Sequence, residues 1–217
     1  MKPRDVSGKL RKTERKKDEN IRMAKTKINI WEEFANVTGG KFVEREENWL
    51  SDKTEIDYNG WKIIFDNYTL CSGKFQQEMT RVIAPMNSID NFRFEIYRNG
   101  LIRSIEKIFG AQDIEIGRPE FDKAFIIKAN NEFKIKSLLQ NQKIRSLIET
   151  QKEVNLEISN QKGVWESELP KKQLELQFYA DGEIKDMEHL KSLLNLFKEL
   201  LDNLYQIKSI ENLKAYR

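Results

Sequence analysis

Residues 53–67 read KTEIDYNGWKIIFDN, and their centre, Asn59-Gly60, is the strongest hairpin signal in the chain. Both residues tolerate positive φ, as a two-residue turn between antiparallel strands requires. The pair joins a strand near 53–58 to one at 61–67. In the second strand Trp61, Ile63 and Phe65 alternate with Lys62, Ile64 and Asp66. Side chains on a strand point to opposite faces in turn, so this spacing gives one oily face and one wetter face.

The same period-two pattern recurs on the C-terminal side. Thr80 to Ala84 reads as a strand stopped by Pro85, and Phe92, Phe94 and Ile96 alternate with Arg93, Glu95 and Tyr97. Val154, Leu156 and Ile158 form another strand, Val164 and Trp165 a weaker one, and Leu174, Leu176 and Phe178 a clear one. Phe125-Ile126-Ile127 is an unbroken apolar run, which predicts a more central strand. Ile114 and Ile116 sit in a short extended piece ending at Gly117 and Pro119. Residues 41–46 read as a short strand.

Helices bracket these strands. Ile30, Trp31, Phe34 and Val37 share one face of a helix over 21–38, ended by Gly39-Gly40. Short helices are predicted at 101–109, after the turn Asn99-Gly100, and near 131–139 and 141–149. After the turn Asp181-Gly182, Asp186 caps the last helix. There Met187, Leu190, Leu193, Leu194, Phe197, Leu200, Leu201, Leu204 and Ile207 recur at spacings of 3, 4 and 7. Strands in the middle without βαβ alternation predict an α+β fold. Its largely antiparallel, curved sheet is covered by the long C-terminal amphipathic helix, with short helices between strands.

At 217 residues the chain suits one sizeable core. The expected division is a basic flexible tail at 1–20 and a single α+β domain at 21–217. Twelve Phe, six Tyr and four Trp argue against disorder. One cysteine, Cys71, excludes an internal disulfide and favours a reducing compartment. No apolar run approaches the ~18–20 residues that span a bilayer. The first twenty residues carry charge without an apolar core, unlike a secretory signal. The expected location is the cytoplasm.

Three phrases, FRFEIYR at 92–98, QDIEIG at 112–117 and PEFDKAFIIK at 119–128, occur in this order and resemble those of a widespread bacterial domain family. WEEFANVTGGKF, WKIIFDNYT and LKSLLNLFKELLDNLYQI extend the likeness over roughly residues 30–208. No activity is attached to that family. The resemblance therefore implies a compact bacterial domain and supplies no functional residues.

The net charge of +3 is uneven: residues 1–29 carry +7, leaving −4 for the rest. Lys9, Arg11, Lys12, Arg15, Lys16 and Lys17 suit phosphates of nucleic acid, with counterion release. They equally suit anionic lipid, at ~1 kcal/mol per basic residue. A solvated leader is the plainer reading. Asp113, Glu115, Glu120 and Asp122, with Lys123 and Lys128 nearby, are the candidates for a magnesium-dependent hydrolase. The competing reading is the solvent side of a turn.

His189 and Cys71 have no partner visible in sequence and read as a surface histidine and a packing or loop cysteine. The chain has no phosphate-loop, dinucleotide or nucleophile-elbow motif, so no cofactor is expected and the balance tilts against an enzyme. Trp61, Phe65, Phe92, Phe94, Phe178, Phe197 and Leu201 read as core or, in the alternative, as the lining of an apolar cavity. The leading expectation is a non-catalytic binding or scaffold domain engaging a protein partner or self-associating, with Leu196, Ile210 and Leu213 as its interface. Docking through the basic tail and metal-dependent hydrolysis are the alternatives.

Overall fold

The protein is described from a computed structural model over residues 29–47, 50–72, 75–100, 113–162 and 167–211. The basic tail, the helix expected at 101–109, the weak strand at Val164-Trp165 and the interface candidate Leu213 lie outside these residues.

Helix α1 (Ile30–Thr38) leads into β1 (Lys41–Val43), β2 (Lys53–Tyr58), β3 (Trp61–Ser72), β4 (Phe75–Asn87) and β5 (Phe94–Arg98). Next come α2 (Pro119–Ala124), β6 (Phe125–Ala129), α3 (Glu132–Gln140) and α4 (Gln142–Glu149). The described chain closes with β7 (Asn155–Ser159), β8 (Gln173–Asp181) and α5 (Met187–Gln206). The strands form one sheet in the order β1-β2-β3-β4-β8-β7-β5-β6, every neighbouring pair antiparallel. The fold is α+β.

Turn chemistry sets the register. Asn59 and Gly60 take φ of 48° and 95°, so β2 folds back on β3 with Tyr58 opposite Trp61. Gly39 at φ 70° ends α1. A Cβ on Gly40 would lie 2.9 Å from the Glu55 carbonyl oxygen, so the chain enters β1 only with glycine there. Asn141 accepts from the amides of Lys143 and Ile144 at 2.9 and 3.4 Å and caps α4 where α3 stops. Asp186 caps α5 through the Glu188 amide at 3.0 Å, as its position predicts.

Alternation then sorts the side chains. Ile56, Trp61, Ile63, Phe65, Val82, Ala84, Phe94, Ile96, Ile127, Leu156, Ile158, Leu174, Leu176 and Phe178 are buried in one cluster on one face of the sheet. All five described helices contribute to that cluster, α5 with Leu190, Leu193, Leu194, Leu196, Phe197, Leu200, Leu201 and Leu204. Each such Val, Leu, Ile or Phe side chain stabilises the fold by about 1.5–3 kcal/mol on burial. The seven cavity candidates all belong to this core.

Several expectations are corrected. β4 does not stop at Pro85. Its ladder with β3 ends at Ile64 opposite Ile83, so Pro85, paired with Glu175 of β8, sits where one side of β4 has no ladder to break. β6 is an edge strand, not a central one. Its apolar run packs on the core through Phe125 and Ile127, and its open side receives the Ile114 amide at 2.8 Å. Pro119 opens the short helix α2, an element the turn-rich sequence there concealed. Val37 is 52% exposed, because the buried side of α1 is set by Trp31, Phe34 and Ala35.

Beyond α5, residues 207–211 run beside the end of β4. Ser88 bridges Ile210, the Ile89 amide donates to Ser209 O at 2.9 Å, and Trp61 Nε1 donates to Glu211 O at 3.1 Å. Leu196 and Ile210 are each 1% exposed, inside this chain's own core. That corrects their assignment to a partner-facing seam, since neither offers surface. Ile210→Ala is expected to lower unfolding free energy by about 2–5 kcal/mol in urea titration. A change within ~0.5 kcal/mol, as at an exposed site, would restore the seam.

Candidate functional site

The acidic candidates do not converge. Asp113, Glu115 and Glu120 are exposed, while Ile114 and Ile116 of the same segment turn toward the core. Asp122 is used structurally: its Oδ1 accepts from the Ile116 amide at 2.9 Å and its Oδ2 from the Arg118 amide at 2.8 Å. This pins the turn before α2. Lys123 is exposed, and its carbonyl accepts from Asn99 Nδ2 at 3.3 Å. Among the described residues no three His, Cys, Asp or Glu side chains are grouped to hold a metal ion. At these positions the described residues form a turn and the start of α2.

Histidine and carboxylates meet elsewhere, in a cleft of about 420 Å³ between the α4–β7 corner and the start of α5. Its polar centre is Gln151, 1% exposed. The Gln151 Nε2 donates to Leu147 O at 2.8 Å and to Ser192 Oγ at 3.0 Å, which fixes the amide orientation. Its Oε1 then faces His189 Nε2 at 2.8 Å, so that ring nitrogen carries the proton. The amide stands between imidazole and hydroxyl: Ser192 is bonded to Gln151, not paired with a base. The arrangement lacks the nucleophile–base contact of covalent catalysis.

The carboxylates around the cleft also have work in the fold. Glu153 Oε2 accepts from the Asp181 amide at 2.9 Å, Glu183 pairs with Lys185 at 3.0 Å, and Asp186 caps α5.

A second polar region lies on the sheet face opposite the core, where the described helices place no buried cluster residue. β8 sends Glu175, Gln177 and Tyr179 there, all buried. Gln177 Nε2 donates to Glu175 Oε2 at 2.9 Å, and the Tyr179 hydroxyl donates to Gln177 Oε1 at 3.4 Å. Burial pushes the Tyr179 hydroxyl far above its usual pKa. Glu157 of β7 is opposite both Gln177 and Glu95 of β5. At the other end Arg81 forks onto Asp66 at 2.9 and 2.6 Å and lies 4.8 Å over the Tyr68 ring. None of Glu95, Glu157, Glu175 or Arg81 is without a partner.

Two of the exposed apolar side chains, apart from Val37, Leu50 and Tyr205, mark the third region. Phe133 is 81% and Ile89 54% exposed. They flank one knot: Lys134 Nζ bonds Asp90, Ser209 Oγ at 2.8 Å and Ile207 O at 3.3 Å. Sequence reasoning missed both, although a signal was present. Ile135, Leu138 and Leu139 set the buried stripe of α3, and a residue two places before Ile135 is turned about 200° from it. Cys71 is exposed on β3.

His189 is the chain's single histidine, so its titration is separable. Loss of water holds its pKa below the ordinary value; Lys152 adds to this, while Asp186 and Glu153 oppose it. The fold favours the neutral ring. Its contribution is present above the unfolded pKa of about 6.5 and is lost as pH falls toward the folded value. Between pH 8 and 5.5 the urea midpoint of the native protein is expected to fall further than that of His189→Asn; equal slopes would refute this. Asp122→Ala is expected to cost about 1–3 kcal/mol in the same assay, whereas an unchanged midpoint would free Asp122 for another role. No protein-family model, curated protein or solved structure matches the chain.

Proposed function

We propose that the protein is a non-catalytic binding domain that engages a protein partner through the surface around Phe133 and Ile89. The observation that carries this reading is the 81% exposure of Phe133 on a helix whose other large apolar side chains are buried. Interface anchors are large side chains, aromatic ones prominent among them, that fill a pocket of the partner and lose their water there.

The surroundings support it. The frame is fixed before binding, because Lys134 ties α3 to Asp90 and to the segment after α5. Asn130 Nδ2 donates to Asn91 O at 2.7 Å, and the Arg93 amide donates to Asn130 Oδ1 at 2.9 Å. Exposed Asn91, Asn130 and Asn131 stand close in the chain to Ile89 and Phe133 and bring polar amides beside them. An apolar centre with a polar rim is the ordinary anatomy of a protein–protein contact. A fixed surface also loses little conformational freedom on binding. The bonded state of Ser192, His189 and Asp122 gives no comparable support to a hydrolase.

The test is photo-crosslinking in the native host cell, with a photoreactive amino acid in place of Ile89. A discrete adduct, to a second copy or to another protein, is expected, and Phe133→Asp is expected to abolish it. Because Phe133 buries little, that substitution should alter unfolding free energy by no more than ~0.5 kcal/mol. No adduct, or one indifferent to Phe133→Asp in a folded protein, overturns the proposal.

A further inference from the structure

We draw no further inference here: the strongest candidate, the polar cleft between the α4–β7 corner and the start of α5 around His189 and Gln151, is an acidic cluster at a helix N-terminus with nothing in the structure to show what would occupy it.

Discussion

Strand β8 lies between β4 and β7, and its alternation is the constraint on which the rest depends. Leu174, Leu176 and Phe178 go to one side, Glu175, Gln177 and Tyr179 to the other, and all six are buried. The apolar side needs cover, and the described helices supply it. A shift of one residue in pairing would put Glu175 and Gln177 into the core and Leu174 and Leu176 onto the polar face. Both burial patterns therefore hold the register of β4, β8 and β7.

The parts of this fold legible in the sequence are those governed by local rules. Asn59-Gly60, the alternation through Trp61 to Phe65, the Asp186 cap and the α5 stripe each depend on a few neighbouring residues. What was not legible depends on partners distant in the chain. Pro85 looks like a strand stop until the β3 ladder is seen to end at Ile83. Phe125-Ile126-Ile127 looks central until α2 and the segment at Ile114 are seen beside it. An apolar run reports burial, and an edge strand can be buried by a helix and a loop as well as by neighbouring strands.

The interface residues illustrate the same limit in reverse. Leu196 lies beside the main stripe of α5 and Ile210 beyond it, so a helical projection assigns both to the outside. The wide sheet and the closing segment at 207–211 take them in. Phe133 lies off the stripe of a shorter helix, and nothing in the described structure takes it in. Surplus apolar residues on a long helix that crosses a sheet are readily absorbed. A surplus aromatic in the first turn of a nine-residue helix has less chain around it to do so.

The polar regions hold carboxylates and amides away from water. Desolvating a carboxylate costs several kcal/mol unless hydrogen bonds or opposite charge offset it. Glu95 and Glu157 stand directly opposite each other on β5 and β7. None of these groups is without a partner, and Glu175 accepts from Gln177 Nε2 at 2.9 Å. The cleft at His189 follows the same rule: Gln151 satisfies the imidazole and the Ser192 hydroxyl with one amide. A reacting site requires a base aimed at the proton it is to take, and Gln151 occupies that position beside His189. Gln151, Gln177 and Asp122 thus make their hydrogen bonds inside the chain, whereas the ring of Phe133 stands 81% exposed.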